Sequence, residues 1–181
     1  MIIGLMGYAG SGKDEVAKIL VEQYGFKRLA FADKIREILY EVNPMVGGEP
    51  LQIRVDADGW DKAKQHPEVR RLLQKVGVAC RNHLSASVWI APVLRDINPG
   101  ERVVITDIRF NNEVEVVKKG FENSEIWRVE RPGVGPVNNH VSEKELDNIS
   151  ADRTLLNSGT LNDLEVLVKL RLDSYLAYQN N

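Results

Sequence analysis

The feature that most constrains this chain is a glycine-rich heptapeptide directly after a short apolar run near its start. The run Ile2-Ile3-Gly4-Leu5-Met6 predicts a buried strand, Gly7-Tyr8-Ala9-Gly10-Ser11-Gly12-Lys13 follows it, and a helical pattern begins near its end. Glycines let a backbone curl so that its N–H groups point inward and hold phosphate oxygens. The positive end of the following helix favours the same anion. The stretch therefore predicts a strand, a phosphate-binding loop and a helix.

The position after Lys13 departs from the usual pattern of such loops. A serine or threonine normally stands there and binds Mg²⁺ through its hydroxyl, whereas this chain has Asp14 followed by Glu15. Lys13 is expected to place its charge beside the β- and γ-phosphates of a nucleotide. The residues predicted to contact ATP in this stretch are Gly7, Ala9, Gly10, Ser11, Gly12, Lys13, Asp14 and Glu15.

Composition excludes several function classes. Lysine and arginine number 24 against 26 aspartates and glutamates, a formal net charge of -2, so nothing favours a nucleic-acid or acidic-lipid partner. The single cysteine, Cys80, has no partner for a disulfide or a metal-binding pair. No apolar stretch approaches a membrane span, and the start lacks the charged region and cleavage site of a signal peptide. We expect a cytosolic protein of one domain.

Strands and helices alternate along the rest of the chain. Strands are predicted over residues 2–6, 26–31, 102–107, 125–130 and 153–157. Helices are predicted from Lys13 to residue 24, over 32–40 with Asp33 as its cap, from Pro67 to residue 84 with Gly77 as an interruption, over 87–97 and 111–119, and from Thr160 onward. Residues 44–67 show poor periodicity and are interpreted as irregular. This alternation predicts an α/β fold with a parallel five-stranded sheet and helices on both faces.

Ligands bind at the carboxyl ends of the strands in such a sheet, and charged residues follow four of the predicted strands. Asp107 ends a buried strand, where it can hold Mg²⁺ directly or through water; the alternative is a helix cap. Arg109 can bridge phosphate oxygens, or instead pair with Glu113. Asn112 and Glu113 are weaker candidates for contacts to substrate.

Five further charged residues have both a functional and a structural interpretation. Asp33 and Arg36 share one helical turn and can orient and grip an acceptor, or form a cap and a solvated arginine. Arg81 follows a buried segment and needs a partner, either a phosphate or a carboxylate. Arg128 and Arg131 flank a loop rich in glycine and proline, which is typical of a lid over a triphosphate; the alternative is a charged surface loop.

These motifs, in this order and spacing, resemble the bacteriophage-type deoxynucleoside monophosphate kinases of the P-loop nucleoside-monophosphate kinase group. The resemblance covers most of the chain. The motifs that carry it are Gly7 to Asp14, Phe31-Ala32-Asp33, Leu73-Gln74-Lys75-Val76-Gly77 with Arg81 and Trp89-Ile90, Thr106 to Glu113, His140-Val141-Ser142-Glu143 with Glu145-Leu146-Asp147, and Asn157-Ser158-Gly159-Thr160-Leu161.

The resemblance implies a three-layer P-loop NTPase fold in which residues 1–181 form one kinase domain. A monophosphate-binding helical insert would span about 33–98 and a lid-like loop about 131–148. The enzyme would move the γ-phosphoryl group of ATP to a deoxynucleoside monophosphate, with Mg²⁺ near Asp14 and Asp107, and a homodimer is plausible from the family. If the chain is encoded by a phage, it would act in the host cytosol.

The resemblance also implies roles for the candidate residues. Lys13, Arg109 and Arg131 would act on the transferring group, and Arg128 would bind ATP. The residues implied to bind the acceptor are Asp33, Arg36, Arg81, Arg109, Asn112 and Glu113.

Three other functions stay open on the sequence. In a dephospho-coenzyme A kinase, Asp33 would be a true base for a hydroxyl acceptor. A phosphomevalonate kinase of the animal type shares the Gly-Ser-Gly-Lys-Asp loop. An ATP-binding switch or assembly module would hydrolyse ATP slowly, although no convincing water-positioning residue is found for it.

Overall fold

The computed structural model describes residues 1–136 and 145–179. The chain divides into two compact units, Met1–Leu29 with Ile97–Asn181, and Ala30–Asp96. The strands are β1 (Ile2–Met6), β2 (Lys27–Leu29), β3 (Met45–Val46), β4 (Glu49–Pro50), β5 (Val103–Ile105), β6 (Ser124–Glu130) and β7 (Arg153–Leu156). The α-helices of the described residues are α1 (Lys13–Tyr24), α2 (Phe31–Val42), α3 (Leu51–Ala63), α4 (Pro67–His83), α5 (Ile90–Arg95), α6 (Asn111–Gly120) and α7 (Leu161–Gln179), and Glu145–Asn148 form a 3₁₀ turn.

A parallel sheet with the strand order β2-β5-β1-β6-β7 forms the centre of the first unit. All five residues of β1 are buried, because a parallel strand covered on both faces is apolar throughout. Ile3 and Leu5 join a core cluster with residues of α1 and α7. Gly4 lies against Ile108 and Ile126, and α6 contacts β1 and β6. The predicted parallel five-stranded sheet with helices is confirmed.

Local hydrogen bonds set the ends of the helices in this unit. Gly25 ends α1 in a left-handed conformation, φ 68°, and its N–H donates to the carbonyl oxygen of Leu20. Before α7, the hydroxyl of Thr160 accepts the N–H of Asp163 at 3.2 Å, and the carboxylate of Asp163 accepts the N–H of Thr160 at 2.8 Å. The prediction that Thr160 caps the last helix is confirmed.

In the second unit, the prediction that residues 44–67 are irregular is wrong. These residues contain the antiparallel hairpin β3–β4 and the helix α3. Leu51, Val55 and Ala63 of this helix belong to the buried core of the unit. Gly59, with φ 74° and ψ 166°, kinks α3 and breaks its apolar period. This kink, together with the exposed Ile53, which gives residues 51–55 an alternating apolar pattern, explains why the sequence did not predict a helix.

Several predicted boundaries are also wrong by a few residues. The second strand ends at Leu29 because α2 already begins at Phe31, and Ala30 rather than Asp33 occupies the cap position. Helix α4 runs through Gly77 without a break. The helix predicted over 87–97 is helical only from Ile90 to Arg95.

The predicted lid at about 131–148 falls partly on residues 137–144, which lie outside the described residues. The motif His140-Val141-Ser142-Glu143 lies wholly within that range. Within the described ranges, every helix is too short or too polar to cross a bilayer.

Candidate nucleotide-phosphate site

The heptapeptide after β1 forms a loop that only glycine can build at two positions. Gly7 and Gly12 have φ angles of 139° and 105°, which residues with a side chain rarely adopt. A Cβ atom on Gly7 would overlap the carbonyl oxygen of Val129. A Cβ atom on Gly12 would overlap the side-chain amide nitrogen, Nδ2, of Asn157. The backbone of the loop is therefore in close contact with β6 on one side and with the residue after β7 on the other.

Lys13 and Ser11 are the side chains of this segment that can contact an anion in the loop. The Lys13 ammonium donates to the carbonyl oxygen of Tyr8 at 2.7 Å, so it lies across the loop instead of pointing into solvent. Asp14 and Glu15 are exposed in the first helical turn, where carboxylates stabilise the positive end of the helix. The Ser11 side chain is 1% exposed, and its hydroxyl has no hydrogen-bond partner among the described residues. A buried hydroxyl of this kind is ready to accept a ligand contact.

A cavity of about 230 Å³ opens beside the loop. Its lining comprises Gly7, Tyr8, Ser11, Arg128, Val129, Glu130, Arg131, Pro132, Val134, Asp147 and Leu156. The phenol of Tyr8 donates to the Asp147 carboxylate at 2.5 Å, which joins the loop to the 3₁₀ turn. Arg131 is exposed at the cavity, so a guanidinium is available to a bound anion there.

Arg128 has a structural task in this cavity. Its guanidinium donates to the carbonyl oxygens of Leu146 at 2.8 Å and Ile149 at 2.6 Å, and it lies 4.0 Å from the Glu130 carboxylate. The side chain is only 15% exposed. Arg128 therefore fixes the 3₁₀ turn to β6, and its predicted contact with ATP stays a prediction.

The segment after β5 brings four more predicted residues to the carboxyl edge of the sheet. The N–H of Ile108 donates to the carbonyl oxygen of Leu5 at 3.0 Å, so Asp107 and Arg109 flank a residue paired with β1. Glu113 is 3% exposed, and its carboxylate accepts the N–H of Arg109 at 2.7 Å and that of Phe110 at 3.1 Å. Glu113 thus holds the entry to α6, and Asn112 is half-buried in the same turn.

The described residues contain no cluster of three or more His, Cys, Asp or Glu side chains that would hold a metal. Mg²⁺ does not need one, because it is commonly bound by one or two carboxylates together with phosphates and water. Asp14 and Asp107 supply hard oxygen donors of that kind near the loop. The donor set therefore fits Mg²⁺ bound together with a nucleotide.

The remaining predicted residues lie in the second unit. Arg36 pairs with Asp33 at 3.0 Å, and both line a cavity of about 440 Å³. The other residues of its lining are Glu37, Tyr40, Glu41, Val55, Asp56 and Trp60. The phenol of Tyr40 donates to Asp56 at 2.7 Å, and this hydrogen bond raises the pKa of Tyr40. Arg81 is half-buried in the last turn of α4.

The structure thus divides the predicted residues between the two units. In the first unit, the heptapeptide, Arg128 and Arg131 line one cavity or adjoin it, and Asp107, Arg109, Asn112 and Glu113 follow β5. Asp33, Arg36 and Arg81 belong to the second unit. Sequence reasoning did not select Tyr8, Asp147 or Asn157 as site residues. A signal was present for each, since all three fall within the motifs that carry the family resemblance.

Comparison with known proteins decides the family. Residues 55–168, more than half of the chain, match the model of the family described as deoxynucleotide monophosphate kinase. The chain belongs to this family. A protein of Acanthamoeba polyphaga mimivirus, whose assignment as a deoxynucleotide monophosphate kinase is itself provisional, is 30% identical over 185 residues, which cover 90% of this chain and 91% of that protein.

Solved structures show the same fold at low identity. Dephospho-CoA kinase from Campylobacter jejuni matches with a TM-score of 0.51 and 13% identity, covering 96% of each chain. A gluconokinase from Sinorhizobium meliloti 1021 matches with a TM-score of 0.50 and 15% identity, covering 99% of this chain and 97% of that one. At these identities the likeness concerns the fold alone.

Membership of the deoxynucleotide monophosphate kinase family confirms the predicted enzyme class. The chain is a nucleotide kinase, an ATP-dependent phosphotransferase with ATP as its donor. The interpretation as an ATP-binding switch or assembly module that hydrolyses ATP slowly is therefore set aside.

Proposed function

We propose that this kinase transfers the γ-phosphoryl group of ATP to the 5′-phosphate of a deoxynucleoside monophosphate, giving the diphosphate and ADP. The observation that carries the proposal is the glycine loop after β1, with Lys13 at the N-terminal end of α1. Phosphoryl transfer needs little covalent help from a protein, so catalysis consists mainly of positioning and of stabilising negative charge. The loop and Lys13 would position the phosphates of the donor and stabilise their negative charge.

On the donor side, the loop N–H groups and Lys13 would hold the β- and γ-phosphates. The ammonium already lies 2.7 Å from the carbonyl oxygen of Tyr8, so a phosphate oxygen can replace that oxygen without a large movement of the side chain. Arg131, exposed at the cavity, would stabilise charge on the transferring group, and Arg109 would reach it from the segment after β5. Mg²⁺ held near Asp14 and Asp107, directly or through water, would neutralise phosphate charge.

On the acceptor side, Arg36, Arg81 and Arg109 would hold the monophosphate. Arg36 contacts Asp33 at 3.0 Å through Nη1 only, and a guanidinium has five N–H donors, so it could keep this partner and still bind a phosphate. The acceptor is already ionised, and a strong base is therefore not required. Asp33 would orient the substrate more than deprotonate it. Asn112 and Glu113 stay in the predicted acceptor set, with Glu113 acting through the backbone that it fixes.

The decisive experiment measures ADP release from Mg-ATP with a panel of acceptors. The panel comprises the four common deoxynucleoside monophosphates, their ribose forms, dephospho-coenzyme A and a reaction without acceptor. We expect turnover with deoxynucleoside monophosphates only. Turnover with dephospho-coenzyme A instead, or release that is indifferent to every acceptor, would contradict the proposal.

A matched pair of lysine variants tests the donor site. Lys13→Ala removes the charge placed across the loop and should lower turnover by about 100-fold or more, because this charge would stabilise the transferring phosphoryl group. Lys18→Ala removes an exposed lysine from the same helix and should keep full activity. A Lys13→Ala enzyme with normal turnover would refute the donor-site assignment.

Two expectations concern the state of the enzyme. The homodimer and the cytosolic location stay predictions. Analytical ultracentrifugation with and without nucleotide tests the homodimer, and a single species at the 20.4 kDa mass of the chain would refute it.

A further inference from the structure

Asn157, the first residue after β7, joins the end of the sheet to the phosphate-binding loop. Its backbone N–H donates to the carbonyl oxygen of Glu130 at 2.7 Å, which extends the pairing of β6 with β7. Its side-chain amide donates from Nδ2 to the carbonyl oxygen of Ser11 at 2.9 Å, across 146 residues of sequence. The capping box of Thr160 and Asp163 begins three residues later. The backbone bond to Glu130 and the side-chain bond to Ser11 thus fix Asn157 between β6 and the loop.

The hydrogen bond acts on the peptide group between Ser11 and Gly12. In a trans peptide the C=O and the N–H point in opposite directions, so holding the Ser11 oxygen also sets the direction of the Gly12 N–H. Gly12 has φ 105°, and a Cβ atom there would overlap Nδ2 of Asn157. The amide and the loop backbone are therefore in direct contact. A rotated peptide group would lose this hydrogen bond.

We infer that Asn157 is a positioning residue for the donor phosphates. By holding the Ser11 carbonyl oxygen on its own side, the amide keeps the Gly12 N–H turned towards the interior of the loop, where a polyphosphate binds. The inference rests on the proposed donor role of the loop and is independent of the acceptor. It requires a hydrogen-bond donor at position 157, which asparagine supplies and aspartate does not.

Two variants separate the donor from the rest of the side chain. Asn157→Ala removes the hydrogen bond, and Asn157→Asp places a carboxylate oxygen against the Ser11 carbonyl oxygen, where two acceptors repel each other. Both keep the backbone bond to Glu130. Asn123→Asp is the matched control, because it adds the same charge at an exposed position of the same unit.

Calorimetric titration of the full chain with inorganic tripolyphosphate and with ATP measures the effect. Tripolyphosphate probes the phosphate loop without the adenosine part. We expect Asn157→Ala to weaken both ligands equally, by about 5- to 10-fold, as for the loss of one hydrogen bond. Asn157→Asp should weaken both further, since it adds repulsion and a negative charge. Asn123→Asp should bind like the wild type.

Steady-state kinetics distinguishes positioning from a general loss of structure. The KM for ATP should rise in both Asn157 variants while the KM for the acceptor stays unchanged. Partial unfolding would instead lower kcat and leave both KM values in place. A higher concentration of acceptor should not restore the rate of the Asn157 variants, because the loop would bind only the donor.

Three results with the variants would overturn the inference. The first is that Asn157→Ala binds both ligands like the wild type. The second is that it binds ATP more weakly and tripolyphosphate unchanged, since that pattern assigns Asn157 to the adenosine part. The third is that both Asn157 variants fail to fold, which would make the amide a determinant of the fold; if only Asn157→Asp fails to fold, Asn157→Ala decides. A wild-type chain that binds tripolyphosphate but phosphorylates no acceptor would refute the proposed reaction alone, and one that binds neither ligand would overturn both.

Discussion

Replacing Gly7 and Gly10 by alanine tests whether the shape of the phosphate loop is built into the fold before a nucleotide binds. Both residues have positive φ angles, 139° and 81°, so each alanine costs backbone strain. Only at Gly7 does the added methyl group meet the backbone, at the carbonyl oxygen of Val129. Val129 lies in β6, which is paired with β1 and β7 and cannot move away. Nothing lies within 4 Å of the same atom on Gly10.

The two substitutions should therefore differ in size. Backbone strain alone gives Gly10→Ala a loss of about 1 kcal/mol in the free energy of unfolding. Gly7→Ala adds a backbone overlap to the same strain and should lose about 3 kcal/mol or more. For a chain of this length, each kcal/mol lowers Tm by roughly 2–4 °C. The expected decreases in Tm are about 3 °C for Gly10→Ala and about 10 °C for Gly7→Ala.

Thermal unfolding followed by circular dichroism, without nucleotide, measures both shifts. Gly135→Ala is the control, because it has neither a positive φ nor a neighbour within 4 Å, and it should leave Tm unchanged. Equal shifts for Gly7→Ala and Gly10→Ala would refute the reasoning, since they would show that β6 does not confine the loop in the free protein.

Two further substitutions test contacts described above. Arg128→Ala should raise the rate of amide hydrogen exchange at residues 145–149 by about 10-fold, because the guanidinium holds two carbonyl oxygens there. Arg131→Ala is the control and should leave this rate unchanged. Mass spectrometry measures both variants, and the same exchange rate in the two would refute the role of Arg128. Hydrogen bonds from the hydroxyl and the N–H of Thr160 lower the pKa of Asp163, so its stabilisation is present above about pH 4 and is lost as the pH falls through the lower folded value. Asp163→Asn should therefore be less stable than the wild type at about pH 6, and the difference should shrink as the pH falls below about 4; a difference in Tm that does not depend on pH would contradict this.

Short-range chemistry explains what could be predicted from the sequence. The apolar run before Gly7 and the glycines themselves predict β1, the loop and α1, because a buried strand and a left-handed turn each depend on neighbouring residues alone. The strand at 103–105 could be predicted for the same reason. Helix α3 could not, since Gly59 adopts a non-helical conformation inside it and its core contacts come from other helices.

The contacts of the site were harder to predict than its location. The partners of Arg128 are carbonyl oxygens, which any residue type supplies, so no letter in the sequence marks them. The bond from Asn157 to Ser11 joins residues 146 positions apart, and no periodicity connects them. A sequence pattern shows which edge of the sheet carries function; it does not show which side chains there touch a ligand and which hold the backbone.

The contact between Lys13 and the carbonyl oxygen of Tyr8 orders the lysine side chain within the protein itself. An ammonium group has three N–H donors, so this one can keep the Tyr8 oxygen and still donate to a phosphate. A long, flexible side chain loses rotamer freedom when it is fixed, at a cost of up to about 2 kcal/mol. Because the fold already restrains Lys13, part of this entropy cost would be met on folding and would not reduce the affinity for a phosphate.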